Sequence, residues 1–318
     1  MDPLDPGWKG KYGWSVSSDR LWQTCRRAFY YQYVAPWQAS AERSERERLF
    51  RLRGLTGLKL LEGRLVHETA ENLVNQHRLG RSLQVAPAVA FYDERVRAYK
   101  GTSRDTVVEA YNGLLLRDEF WELIRNDGAA QLGNFIQIIW PNLADLEYLQ
   151  HEEFENFYLQ DIKVNVKVDY TTRSQNGIVV VTDWKTGQDF RPEEGNVQLA
   201  VYGLWAASKF QVPLGKVRLE LAYLRTGRSY PVELTEDLVR DAKEAVTAGA
   251  AEVLAAEDLD DFPTSPDPDK CTSCKFATVC PAGKGILEQF FADSVKDVVA
   301  KLGRKGGKID RKSEDLGG

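Results

Sequence analysis

Apolar and polar residues alternate most sharply between 162 and 170. Ile162, Val164, Val166, Val168 and Tyr170 fall to one side, Lys163, Asn165, Lys167 and Asp169 to the other. A period of two is that of a strand with one buried face. After a short turn from Arg173 to Gly177, the run Gly177-Ile-Val-Val-Val-Thr-Asp-Trp-Lys185 reads as a buried β-branched strand. The two strands predict an antiparallel hairpin that brings Asp169 near Asp183 and Lys185. Residues 216–225 alternate again, followed by a turn at Thr226-Gly227-Arg228 and a short strand through Leu234. Helical periodicity marks 15–33, 60–78, about 85–150, about 195–209 and 235–256. In 60–78 the inner stripe is Val66, Ala70, Leu73 and Val74, with His67 and Glu71 on an adjacent face. This mixture predicts an α/β (α+β) fold.

Composition narrows the class. With 43% hydrophobic and 28% charged residues, the 318-residue chain is that of a soluble globular protein. No stretch has the apolar length of a membrane helix, and the polar start is no secretory signal, so no membrane partner and a cytoplasmic location are expected. The net charge of −5 rules out a basic nucleic-acid coat; any nucleic-acid site must be a local basic groove. The Arg- and Glu-rich residues 41–53 read as a solvated helix or as a wall of such a groove. One domain over 1–300 is expected, with a helical insert at about 80–150 and a basic, disordered tail over 301–318.

Two sets of residues carry candidate chemistry. Asp183 and Lys185 are two apart, so a strand points both to one face. Alone, an acid and a lysine at a strand end are more often a solvated pair, and a lone helical His67 is more often a hydrogen-bonded residue than a ligand. Together, His67, Asp169 and Asp183 suit Mg²⁺ or Mn²⁺, since hard cations prefer oxygen and manganese tolerates nitrogen. Lys185 beside them can support charge in a transition state. Gln198 and Tyr202 share one helix face behind them.

The second set is Cys25 with Cys271, Cys274 and Cys280. Read alone, Cys25 lies on an apolar stripe with Leu21 and Phe29 and is a small core residue. Four thiolates hold either zinc or an iron–sulfur cluster. Zinc ribbons usually pair two Cys-x-x-Cys knuckles. A single knuckle, one cysteine six further on and one far upstream favours iron–sulfur over zinc.

In order along the chain, Gly63-Arg-Leu-Val-His67, the strand ending in Asp169, Asp183-Trp-Lys185-Thr-Gly and Gln198-Leu-Ala-Val-Tyr202 resemble the motifs of the RecB-type branch of the PD-(D/E)XK nucleases. The split cysteine set resembles its iron–sulfur subgroup, which includes the CRISPR adaptation exonucleases and the AddB nuclease domain. The likeness runs from about 15 to 285. It implies a restriction-endonuclease-like mixed central sheet flanked by helices. A [4Fe-4S] cluster would join segments 15–35 and 268–285. The implied activity is Mg²⁺- or Mn²⁺-dependent cleavage of DNA, more often exonucleolytic than endonucleolytic, on single strands or single-stranded ends. The pathways it leaves open are DNA repair and recombination, phage DNA processing and CRISPR adaptation.

Carried over residue by residue, His67, Asp169, Asp183 and the Trp184 carbonyl would bind the metal. Lys185 would be the catalytic lysine, acting with Asp183 and Asp169, and Gln198 and Tyr202 would position DNA or the lysine. Val166 stands where the family usually has glycine, which would tighten the approach of a DNA backbone. The long 80–150 stretch points to a dedicated protein partner. The reading from another class is a non-catalytic or complex-dependent DNA-binding subunit, which the acidic net charge and the lack of a phosphate-loop motif favour.

Overall fold

A computed structural model describes residues 4–38, 42–114, 116–189 and 197–292. The basic tail expected over 301–318 lies outside these residues. Seven strands form two sheets: β1 (Glu147–His151), β2 (Phe154–Leu159), β3 (Ile162–Lys167), β4 (Tyr170–Arg173), β5 (Val179–Lys185), β6 (Val217–Tyr223) and β7 (Arg228–Val232). The main sheet has the order β1-β4-β5-β6-β7, and β2 and β3 form a separate ribbon. All pairs are antiparallel except β5 with β6. That parallel pair needs a crossover, supplied by α6 in the helix series α1 (Val16–Thr24), α2 (Arg43–Arg53), α3 (Leu58–Arg78), α4 (Val85–Gly101), α5 (Asp118–Asn134), α6 (Val197–Phe210), α7 (Glu236–Ala255) and α8 (Pro268–Thr272). The outer strands are irregular: β1 has a bulge between Tyr148 and Gln150, and β7 contains Pro231. The restriction-endonuclease-like mixed sheet flanked by helices is therefore present.

Each face of the main sheet has its own core. On one, Val179, Val181, Leu219 and Leu221 pack against Leu199 and Trp205 of α6 and Leu238, Ala242 and Val246 of α7. On the other, Tyr170, Trp184 and Ala222 meet Leu65, Val66, Ala70 and Leu73 of α3 and Ile124 and Leu132 of α5. The expected inner stripe of 60–78 is buried throughout. The N- and C-terminal segments share two further cores, one aromatic (Trp8, Trp22, Phe29, Phe262) and one around Leu49, Leu52 and Phe276.

Three expectations about elements are corrected. The helix expected over 15–33 breaks at Cys25, which is extended at φ −163° and ψ 107°. The helical reading of 85–150 holds only to Asn142, because 147–151 is β1. Before Pro36 and Pro141 the helix loosens into π-turns, Tyr30–Val34 and Phe135–Ile139. Proline removes an N–H and crowds the carbonyl four residues earlier, which is one way to open a turn. Finally, β5 pairs with β4 rather than with β3, Tyr170 lying opposite Thr182. The chain steps from one sheet to the other at Val168-Asp169. Val168 therefore lies in one core and Tyr170 in the other, although the alternation put them on one side.

Candidate metal centre

The step at Val168-Asp169 places Asp169 between the two sheets and nearly buries it. Its Oδ2 accepts the backbone N–H of Trp184 at 2.6 Å, which pins Asp169 to β5. Its Oδ1 lies 3.3 Å from Nδ1 of His67, delivered by α3. Glu152 follows β1 with φ 50°, a left-handed conformation uncommon for a side chain of its size. Its N–H donates to the Val168 carbonyl at 2.9 Å, so the unusual backbone is held by the same step in the chain. Glu152 Oε1 lies 3.4 Å from His67 Nδ1, and Oε2 lies 2.5 Å from Lys167 Nζ.

The ligand atoms of His67, Glu152 and Asp169 all lie within 4.8 Å of one another. Asp183 stands beside this trio, its Oδ2 2.5 Å from Lys185 Nζ. The predicted projection of both residues from one strand face is thus met. Gln198 Nε2 donates to the Tyr202 hydroxyl at 2.8 Å, and that hydroxyl donates to the Lys167 carbonyl at 2.9 Å. Tyr202 is thereby tied to the last residue of β3, two before Asp169. The Trp184 indole is buried in the opposite core, stacked on Tyr170. Val166 is also buried, in the core beneath α6.

The electrostatics are those of a crowded anionic site. Burial pushes the Asp183 carboxyl up to about 6, with Asp169 adding to the rise and Lys185 and His67 opposing it. Burial alone would depress His67, but Asp169 and Glu152 outweigh it and hold the imidazole well above its ordinary value. Glu152 Oε1 and Asp183 Oδ2 are buried and meet only the ion-pair contacts above, with His67 and Lys185. Buried carboxylate oxygens of that kind are costly unless a cation takes up their charge. The donor set, three carboxylates and one imidazole, fits Mg²⁺ or Mn²⁺.

Glu152 is the functional candidate that sequence reasoning missed. It sits in His151-Glu-Glu153, a run that resembles a solvated charge cluster. The available signal, an acid upstream of the alternating segment, was too general to use.

The four cysteines come together in one cavity, which they line with Ala28, Tyr31 and Phe276. All are free thiols. Burial pushes Cys274 up to about 11, and the other three cysteines add to the rise.

A family model for the PD-(D/E)XK nuclease superfamily matches residues 13–281. The chain belongs to the PD-(D/E)XK nuclease superfamily. The match spans the trio, Asp183, Lys185 and all four cysteines. A search of curated proteins finds no match to the sequence. Among solved structures, a presumed exonuclease from Eubacterium rectale overlaps 78% of this chain and 85% of its own at 14% identity, with a TM-score of 0.37. The protein SSO0001 overlaps 70% of this chain and 97% of its own at 18% identity, with a TM-score of 0.27. No described helix is long and apolar enough to cross a membrane.

One contact of the superfamily site gives a direct prediction. A Cβ added at Gly63 of α3 would lie 2.6 Å from Thr186 Oγ1, immediately after Lys185. Replacing helical glycine by alanine gains about 1 kcal/mol of helix propensity, which offsets much of the local strain. The Gly63→Ala variant is expected to melt within a few degrees of the wild type by calorimetry. It should nonetheless cleave DNA about tenfold or more slowly, since small displacements of a reacting group are expensive.

Proposed function

We propose that this chain is a metal-dependent deoxyribonuclease that hydrolyses phosphodiester bonds exonucleolytically from single-stranded ends. The observation that supports it best is the gathering of His67, Glu152 and Asp169 within 4.8 Å beside the Asp183–Lys185 pair. His67, Glu152, Asp169, Asp183 and the Trp184 carbonyl would hold Mg²⁺ or Mn²⁺. Such an ion supplies a water of lowered pKa and neutralises phosphoryl charge. Asp169 is oriented by the Trp184 N–H. The Lys185 ammonium, held against Asp183, can donate to the attacking water and then support the charge that builds on the phosphate. Tyr202 and Gln198 brace the end of β3 that carries Asp169 into place.

The same reading places a [4Fe-4S] cluster on Cys25, Cys271, Cys274 and Cys280, in the iron–sulfur subgroup of the RecB-type branch. The convergence of all four cysteines on one cavity supports that assignment. Repair, recombination, phage DNA processing and CRISPR adaptation are the pathways in which such an exonuclease would act, in the cytoplasm.

The test uses end-labelled single-stranded DNA with Mn²⁺ and anaerobically purified protein. Shortening from an end that is lost in Asp183→Ala is the expected result. Binding without cleavage in the wild type would instead make the chain a non-catalytic subunit of a larger assembly.

A further inference from the structure

The β2–β3 ribbon turns an unusual face outward. Phe154 is 75% exposed and Tyr158 is 64% exposed. Single exposed apolar residues are ordinary, but these two are arranged. They lie on one face of β2, four residues and therefore about 13 Å apart. Each is paired across the ribbon with a lysine: Phe154 lies opposite Lys167, and Tyr158 lies opposite Lys163. The inner face is ordinary core, with Phe157, Val164 and Val166 buried beneath α6.

The outer face also has a direction. Lys167 at one end touches Glu152 of the candidate metal centre at 2.5 Å. Beside that end lies a cleft of about 320 Å³, whose lining includes Phe154, Lys167 and Tyr202, together with Arg20 at the far side. The side chains of Arg20 and Lys163 have no carboxylate partner among the described residues. Two aromatic rings flanked by the unpaired cations Lys163 and Arg20, leading from the proposed phosphodiester-cleaving centre, match the chemistry of an unpaired strand. Bases stack on the rings and phosphates meet the cations.

We infer that the outward face of the β2–β3 ribbon is a track for single-stranded DNA, with Phe154 and Tyr158 stacking bases and Lys163 and Arg20 contacting phosphates. The inference rests on the nuclease reading for its direction, and it names the unpaired strand as that site's substrate. Duplex DNA keeps its bases stacked inside the helix and cannot use the rings.

The test separates binding from cleavage. A 5′-fluorescein oligodeoxythymidylate is titrated by anisotropy into the purified protein without added divalent cation, at several salt concentrations. Phe154→Ala and Tyr158→Ala are each expected to weaken binding about tenfold, with the salt slope unchanged, and Phe154→Trp to restore it. Lys163→Ala is expected to lower the slope of log K against log salt by about 0.7. Phe154 and Tyr158 are exposed and Lys163 is half-buried on the same outward face, so folding is not at stake. Binding by both aromatic variants within twofold of the wild type, or no binding by the wild type, overturns the track. A changed oligomeric state in light scattering, with DNA binding intact, also overturns it and makes the face a contact between copies. The expected binding pattern without any cleavage by the wild type supports the track and removes the nuclease reading.

Discussion

A Cys25→Ala variant is expected to lose its iron and its absorption near 400 nm, the usual region for thiolate-bound iron–sulfur clusters. It is also expected to melt on the order of 10 °C below the wild type. Cys25 is the one cysteine contributed by the N-terminal segment, so its loss opens the link between chain ends. The cost is bounded from above by what else joins those ends. Trp22 donates to Glu252 at 2.9 Å, and Arg27 Nε donates to the Phe262 carbonyl at 2.6 Å. Trp22, Phe29 and Phe262 form a shared aromatic core. Asn112 further donates to the carbonyls of Thr272 and Cys274 at 3.1 Å. The expected loss is therefore about 3 kcal/mol rather than the ~10 kcal/mol or more by which a structural metal can hold a small domain. Differential scanning calorimetry with iron and zinc assays on the same sample decides it. A variant that keeps its iron and melts with the wild type would sink the idea of a staple, and a colourless wild type with stoichiometric zinc would replace the cluster.

The largest effect on activity with little effect on folding is expected for Glu152→Gln. The substitution keeps the shape of the side chain and removes one of the two carboxylates in contact with the His67 imidazole. Mn²⁺ affinity should fall, and cleavage should drop by about 10²–10³-fold, the scale seen when one preorganised electrostatic group is removed. Stability should change little. The lost contacts to His67 and to half-exposed Lys167 are offset by relief of repulsion from Asp169. Single-turnover cleavage across a Mn²⁺ titration, paired with a melting curve, separates this outcome from a folding defect. Cleavage by Glu152→Gln at wild-type rate and wild-type Mn²⁺ dependence would remove Glu152 from the metal set.

What the sequence disclosed follows from how each residue is placed. His67, Asp183 and Lys185 were legible because each sits at a fixed step in a regular element, and Asp169 because it follows directly on an alternating strand. Gln198 and Tyr202 were legible for the same reason, one helical turn apart. Glu152 was not, because its position depends on a left-handed backbone between two strands, β1 and β2, that themselves escaped notice. β2 hides because its outward positions are Phe154 and Tyr158, so the apolar–polar alternation of a half-buried strand is absent. β4 hides because the alternation of 162–170 runs unbroken through Val168 and Tyr170, while the backbone changes sheets between them. Period-two patterning reports which residues are apolar, and it is silent about which partner strand they meet. The 80–150 stretch read as an insert, yet Phe135 packs edge-on against Trp184 and α5 lies in the layer that covers the main sheet.

The two outer strands of that sheet carry a consequence for how the molecule behaves in a crowded solution. An edge strand normally offers a row of open amide and carbonyl groups on which another chain can zip, the route to fibrils and to swapped dimers. Here the bulge in β1 interrupts the row on one side, and Pro231 in β7 removes a donor on the other. Concentrated protein is thus protected from growing by strand addition at either end. A companion protein that joins it has to recognise helices or the ribbon surface rather than lengthen the sheet.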